Sequence, residues 1–368
     1  MPNSFLKVTA STLAFCSSVC ASASAQDKLA SPDPREPVVV VTANRTAQPV
    51  ERVGQSITVV DSAEIERRQT QTVADVLRTL PGVSITRNGG VGTSTSVYIR
   101  GAESDHTVAL VDGIKLNDPS SPGGGFNFGN LLTGNIERIE VLRGPSSVLW
   151  GSQAIGGVIN MITRQPTEEL TVNLRSEYGY RDTGQIVGNI AGKAGPLSAS
   201  VVAGYFRTDG ISAFSEARGG VERDGYKNYG ANGNFNLALS DGFSVDARGW
   251  YSEGRVNIDG FPPPSYAFGD VNEESRTREF VGYTGINAAL FDGRFRNRLG
   301  YAYTDTRRRN ISLDGPATET FAGDGRNERI EYQGIFDISD EWVEYKAMIA
   351  LGHGALEAAD DFIWSYQM

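Results

Sequence analysis

The chain has 368 residues, 39% hydrophobic and 21% charged, with no run of 18 apolar residues. This excludes both a disordered polyelectrolyte and a membrane protein built from helices. A net charge of -10, from 34 Lys+Arg against 44 Asp+Glu, argues against a nucleic-acid partner, whose phosphates need a basic footprint. The 43 glycines call for many turns and bulges, and two histidines make a His-rich metal site or a histidine-based hydrolase a poor fit.

Lys7 precedes a moderately apolar run from Val8 to Val19, and Ala23-Ser24-Ala25 supplies the small residues after which a signal peptidase cuts. Residues 1–25 are therefore expected to be an export signal, with a mature chain beginning at Gln26. Cys16 and Cys20 both lie inside it, preceded by Phe15 and Val19 where a lipoprotein signal would carry a small residue. The exported chain is thus cysteine-free and needs no disulfide. Residues 26–43 read as a flexible periplasmic arm, because Pro32, Pro34 and Pro37 with several charges give no periodicity. At its end Val38-Val39-Val40-Val41-Thr42-Ala43 forms a β-branched run without a neighbouring strand in sequence, which invites a partner's edge.

Residues 44–165 alternate short helical and strand signals. Ile57 to Val60 reads as a strand, and Asp61 with Glu64 gives the N-cap acid and N3 glutamate of a capping box. A second helix is capped by Thr72 and Asp75, carries Val73, Val76, Leu77 and Leu80 at helical spacing, and is stopped by Pro81-Gly82. Strands are predicted at Val97–Arg100, Val108–Val111, Ile136–Leu142 and Val158–Ile162, with Asp112-Gly113 as a hairpin turn.

Beyond Pro166 the period becomes two. Leu170, Val172, Leu174, Tyr178 and Tyr180 occupy one face and Thr171, Asn173, Arg175 and Glu177 the other. The alternation returns from Leu197 to Tyr205, from Val343 to Leu351 and from Leu356 to Tyr366. Strands of this length with aromatic ends suit an outer-membrane β-barrel; a soluble β-sandwich stays open, because alternation does not say whether lipid or a second sheet covers the apolar face.

From Ile136-Glu137-Arg138-Ile139-Glu140-Val141-Leu142-Arg143-Gly144-Pro145 through Trp150-Gly151-Ser152 to Ala154-Ile155-Gly156-Gly157-Val158-Ile159-Asn160, the sequence resembles the end of the plug domain of TonB-dependent outer-membrane receptors. The resemblance begins at Val38–Ala43, which resembles the TonB box, and passes through Leu80-Pro81-Gly82-Val83 and Tyr98-Ile99-Arg100-Gly101. Thr42-Ala43-Asn44-Arg45, the run from Leu80 to Gly90, and Leu110-Val111-Asp112-Gly113 are most similar to the cobalamin receptor branch. The implied fold is an α+β plug domain inside an antiparallel transmembrane β-barrel. The roughly 200 residues after Pro166 fit nine or ten strands where a plugged transporter has about 22. The chain stops at Met368 in mid-strand, so residues 166–368 are expected to be the N-terminal part of an incomplete barrel in a truncated sequence.

The resemblance implies active uptake into a Gram-negative cell across its outer membrane. TonB would grip Val38, Val39, Val40, Val41, Thr42 and Ala43, and cobalamin or a siderophore would be the transported ligand. Outward plug loops imply ligand contacts at Thr93, Ser94, Ser96, Asn117, Asp118, Ser120 and Ser121, which apart from Asp118 are neutral and suit the amide rim of a corrinoid better than an anionic ferric complex. Arg100 and Arg143 are expected to lock the plug by pairing with barrel acids. Glu222, Asp224, Asp259 and Asp270 resemble calcium-ligating acids of the cobalamin receptor, although Arg223 could neutralise the cluster instead. No other cofactor is expected.

Enzyme motifs do not emerge. Gly188 to Lys193 has the wrong spacing for a phosphate loop and Ala194 stands where magnesium needs Ser or Thr, while Gly-x-Ser-x-Gly, CxxC and HExxH are absent from the sequence. An exported β-rich binding or adhesion protein is the alternative of another class; it would have no use for a plug or a TonB box.

Overall fold

The computed structural model describes residues 39–336 except 44, 46, 117, 119–121, 221–222, 263, 265 and 315, together with the backbone of 346–351 and 362–367. The expected export signal, most of the arm and Val38 lie outside the described residues.

The plug begins with β1 (Val39–Val40) paired antiparallel to β2 (Gln48–Pro49), followed by β3 (Ser56–Asp61). Helix α1 (Ser62–Arg68) starts where the Asp61 carboxylate accepts from the Glu64 N–H at 2.7 Å, and α2 (Val73–Leu77) where the Thr72 hydroxyl accepts from the Asp75 N–H at 3.2 Å. Both caps satisfy amides that the first helical turn leaves unpaired. Next come β4 (Val83–Arg87) and β5 (Thr95–Ile99), paired with each other. β6 (Thr107–Val111) and β7 (Ile114–Lys115) form the expected hairpin, with Asp112 and Gly113 both at positive φ, the geometry of a type I′ turn. β8 (Ile136–Arg143), α3 (Ser147–Trp150) and β9 (Gly157–Thr163) complete the domain.

The main plug sheet has the order β3-β8-β9-β6-β7, in which only β6 and β9 run parallel. Every residue of β6 and β9 is buried, as expected of strands covered on both faces. Ile139, Val141, Ile159 and Met161 pack under the helices with Ile65, Val73, Val76 and Leu77. Leu142, Val158, Val108 and Leu110 point the other way, where Ala43, Trp150 and Ala154 cover them.

Eight strands then form one antiparallel meander: β10 (Thr171–Gly179), β11 (Thr183–Ala194), β12 (Leu197–Thr208), β13 (Tyr226–Ser240), β14 (Phe243–Gly260), β15 (Gly269–Leu290), β16 (Phe295–Ser312) and β17 (Thr318–Phe336). β18 (Lys346–Leu351) and β19 (Phe362–Gln367) pair with each other, which makes ten strands after Pro166 among the described residues, where nine or ten were expected. Polar side chains such as Gln185, Asn189, Asn228, Asn232, Asn234 and Thr277 are buried, whereas Leu174, Ile186, Ile190, Phe235, Leu237, Ile286 and Leu299 are exposed. A soluble sandwich would bury the apolar set; the inverted arrangement belongs to a barrel wall that meets lipid outside and the plug inside. Connections at one end are all short (195–196, 241–242, 291–294), whereas the other end carries the two long ones (209–225, 261–268) beside 180–182 and 313–317, the asymmetry expected between the periplasmic turns and outward loops of such a barrel.

Candidate functional site

Arg45, just past β1, lines one cavity with Ala238, Ser240 and Phe243 at the short connection between β13 and β14. Glu140 of β8 is fully buried and projects from the sheet face opposite the helices. Its Oε2 accepts from the Val41 N–H (3.0 Å), the Thr42 N–H (2.9 Å) and the Thr42 hydroxyl (2.6 Å), while Oε1 accepts from Arg138 Nε at 2.9 Å. Trp150 Nε1 donates to the Thr42 carbonyl at 2.9 Å, and Asn160 Nδ2 to the Thr42 hydroxyl oxygen at 3.1 Å. The run expected to be an unpaired strand is therefore paired with β2 and docked. A buried carboxylate requires donors, and the backbone of Val41 and Thr42 supplies them.

Three residues further on, the Arg45 guanidinium lies 4.4 Å from the Trp150 ring centroid and 3.3 Å from the Glu331 carboxylate of β17. Burial pushes the Arg45 pKa down, against the pull of Glu331. Arg248 of β14 donates to the Asp112 carbonyl at 2.6 Å, and the Asp112 carboxylate holds Thr163 through its N–H (2.9 Å) and hydroxyl (2.6 Å). Burial raises the Asp112 pKa, with both Thr163 bonds opposing the rise.

At the outward end the expected ligand-contact residues divide. Ser94 is exposed and Ser96 half-buried in β5, but Thr93 is buried and its hydroxyl donates to the Gly90 carbonyl at 2.8 Å. Asn117, Ser120 and Ser121 lie outside the described residues. Asp118 is buried against the wall, where Arg308 of β16 meets it at 2.7 Å. Thr93 and Asp118 thus hold the loops rather than offer free groups to a solute. Nearby, Tyr226 donates to Asn130 Oδ1 at 3.0 Å, and its ring fills the space beside Gly92, where an added Cβ would sit 2.1 Å from the ring.

The lock expected of Arg100 and Arg143 falls to other residues. Arg143 donates to the hydroxyls of Ser56 (3.4 Å) and Thr58 (2.8 Å) in β3, so its guanidinium serves the plug sheet itself, and Arg100 is exposed in the left-handed region at φ 53° just past β5. Neither pairs with a barrel acid among the described residues. Among the described residues the plug–wall ion pairs are Arg45–Glu331, Asp118–Arg308 and Glu66–Arg175 (3.6 Å), with Asn135–Asn232 (2.8 Å) and Asn234–Thr163 (2.7 Å) as neutral contacts. Sequence reasoning missed these partners, since isolated polar residues at lumen-facing positions carry no motif.

Asp224 lies close enough to Asp259, at the end of β14, and Asp270, at the start of β15, to feel their charges, though among the described residues the three carboxylates do not come within mutual ligand distance; Glu222 lies outside the described residues. Asp224 Oδ2 accepts from the Ala213 N–H at 2.7 Å, while Oδ1 is buried with no hydrogen-bond partner. Asp259 accepts from the Phe214 N–H at 2.5 Å and from Ser212 at 3.3 Å. Burial, with added repulsion from Asp259 and Asp270, pushes the Asp224 carboxyl up to about 6. An orphaned buried oxygen beside two further carboxylates fits a hard cation. Arg223 reaches instead toward Asp209, at 3.9 Å.

Residues 49–158 match the TonB-dependent receptor plug domain family. The chain is 33% identical over 260 residues to the vitamin B12 transporter BtuB of Photobacterium profundum, covering 70% of this chain and 41% of that protein. It is 35% identical over 248 residues to BtuB of Vibrio vulnificus, covering 67% and 39%. The chain thus spans about two fifths of the length of these relatives. Among solved structures, the siderophore receptor PirA of Acinetobacter baumannii superposes with a TM-score of 0.61 at 20% identity, over 78% of this chain and 46% of PirA. The outer-membrane ferripyoverdine receptor of Pseudomonas aeruginosa gives 0.65 at 17% identity, over 89% and 47%. At such identities these two structures share the fold alone.

Proposed function

The chain belongs to the TonB-dependent receptor family, and from that premise we propose that it is the plug and first barrel strands of an outer-membrane receptor that takes up cobalamin or a related corrinoid. The observation that carries the reading is the docked segment that includes Val41, Thr42 and Arg45, held by side-chain bonds to Glu140, Trp150, Asn160 and Glu331 on the side of the short strand connections. A segment held this way can be released without unfolding the plug, and once free its β-branched backbone is suited to pairing with an edge strand of TonB. The corrinoid is favoured over a ferric siderophore by the 33–35% identity to B12 transporters and by the neutral outward loop around Ser94 and Ser96.

Asp224, Asp259 and Asp270, with Glu222, would hold calcium, which would order the 209–225 and 261–268 loops over the ligand. The protein would reside in the outer membrane of a Gram-negative bacterium, exported by the segment ending at Ala25. The test is equilibrium binding of cyanocobalamin and of several ferric siderophores to the full-length receptor. Tight corrinoid binding is expected, and tight siderophore binding without corrinoid affinity reverses the assignment. Deleting Val38–Val41 should abolish energised uptake and leave binding to cells intact; loss of both would mean that the segment is only part of the plug fold.

A further inference from the structure

The plug and the wall line a cavity of about 570 Å³ that carries four arginines: Arg45 of the plug, Arg248 of β14, Arg298 of β16 and Arg329 of β17. Like charges gathered away from bulk water repel one another, so such a cluster needs anions. Glu331 meets Arg45 at 3.3 Å and Arg329 at 2.5 Å, and Asp246 meets Arg248 at 2.9 Å and Arg298 at 3.1 Å. The third acid, Asp112, turns both carboxylate oxygens to Thr163 and offers Arg248 only its backbone carbonyl. Four cations therefore face three acids, one of which is committed elsewhere. Arg329 and Arg298 lie close enough to Arg45 for their charges to oppose its own.

The hydrogen-bond donors of the cluster are also in excess. Arg45 Nε and Arg329 Nε are buried with no hydrogen-bond partner. Ring contacts fix the planes of the other guanidinium groups and of Arg45 itself: Trp150 lies 4.4 Å from Arg45, and Tyr283 of β15 lies 4.8 Å from Arg298 and 5.2 Å from Arg248. Stacking takes up the face of a guanidinium and leaves its edge, where the N–H groups are, for an acceptor. Buried donors without acceptors, around a cavity of this size, mark the place of a polar ligand, and several guanidinium edges match the oxygens of a tetrahedral oxyanion. Arg45, Arg298 and Gln333 also line the neighbouring cavity at the short β13–β14 connection, together with Arg296, so the site is reached from that side.

We propose that this cavity binds a phosphate-class oxyanion, held by the guanidinium edges of Arg45, Arg298 and Arg329. The anion joins the docked segment, through Arg45, to β16 and β17, and so stabilises the docked state. Its site is separate from that of the transported solute and does not depend on which solute that is.

The test uses the full-length receptor in detergent, with inorganic phosphate as the probe and sodium chloride keeping the ionic strength constant. Calorimetry should show saturable binding with a Kd below about 1 mM, and Arg329→Gln should weaken it about tenfold. Glycerol 3-phosphate titrated in parallel tells an esterified phosphate from the free ion, and saturable binding of either one supports the proposal. Ala43→Cys places a thiol at a buried position of the docked segment, and its labelling by maleimide should slow severalfold at saturating probe. Saturable binding of neither probe, equal affinity in Arg329→Gln, or labelling that the bound probe leaves unchanged overturns the proposal. Heat-modifiable gel mobility reports folding of the variants. If Arg329→Gln does not fold, Arg329→Lys decides: it keeps the charge facing Glu331 and loses the fork, so a loss of about threefold is expected and no loss overturns the proposal.

Discussion

Glu140→Gln should release the docked segment while leaving the plug folded. The carboxylate accepts three hydrogen bonds from Val41 and Thr42 through a single oxygen. A bond to a charged group contributes about 1 kcal/mol more than its neutral counterpart, so replacing the acid with an amide weakens docking by roughly 3 kcal/mol. At 1.4 kcal/mol per decade, the undocked population rises about 150-fold. Trp150→Phe removes only the donor to the Thr42 carbonyl and keeps a ring under Arg45, so about 1 kcal/mol and a fivefold rise are expected. Both cysteines of the chain, Cys16 and Cys20, precede the expected cleavage site, so Ala43→Cys adds one reporter thiol at a buried position. Maleimide labelling then reads the opening equilibrium: slow in the Ala43→Cys background, severalfold faster with Trp150→Phe and about two orders faster with Glu140→Gln. Equal labelling rates across the three proteins, with thermal unfolding unchanged, would refute the assignment of Glu140 as the holding group.

Glu331→Gln leaves the buried Arg45 near Arg298 and Arg329 without its acid and should cost about 3 kcal/mol, read as a lower thermal midpoint. Arg45→Gln combined with Glu331→Gln should cost less than the two changes added, and strict additivity would show that the pair is not coupled. Cation binding at the outward acids should weaken as pH falls through about 6, because protonation neutralises Asp224 and competes with the ion. Calorimetric titration with calcium between pH 5 and 7 should show the fall, and a flat profile would remove Asp224 from the site. Gly92→Ala places a Cβ 2.1 Å from the Tyr226 ring at φ 90°, so the plug should seat poorly at a cost of about 3 kcal/mol or more, measured as faster influx of bulky antibiotics.

Local chemistry was legible wherever it is written in adjacent residues. Asp61 with Glu64, Thr72 with Asp75, and Asp112-Gly113 each specify a cap or turn within four positions; both N-caps and the turn form, but the Glu64 carboxylate pairs with Arg67 and Arg68 instead of closing the capping box. The period-two runs from Leu170 and Leu197 gave the exposed apolar face, while the inverted burial of the asparagines needed the fold to separate a barrel from a sandwich. Contacts across long sequence separations were not legible. Thr42 meets Glu140 98 positions later, and Asp118 meets Arg308 190 positions later, and neither partner differs in type from dozens of other polar residues. Arg143 was misassigned because a charged strand end looks the same whether it meets a barrel acid or, as here, the hydroxyls of Ser56 and Thr58.

The way Val39 to Arg45 is attached determines how the plug answers a pull on the residues before it. Its ladder with β2 is two residues long, and the remaining attachments are the packing of buried Val40 and Ala43 and the side-chain bonds to Glu140, Trp150, Asn160 and Glu331. Once they part, the 17 residues from Val39 to Gln55 extend to roughly 55 Å before any load reaches Ser56. The first strand then loaded is β3, which lies at the edge of the main plug sheet and has one neighbour, β8, over six residue pairs. β8, β9 and β6 each have neighbours on both sides. Separating β3 therefore costs one ladder, whereas moving the sheet as a block must also break the Arg248, Asp118 and Asn234 contacts with the wall together. A plug attached in this way offers β3 as the strand whose separation breaks the fewest contacts, while the Asp112–Thr163 end is the part tied to β13 and β14.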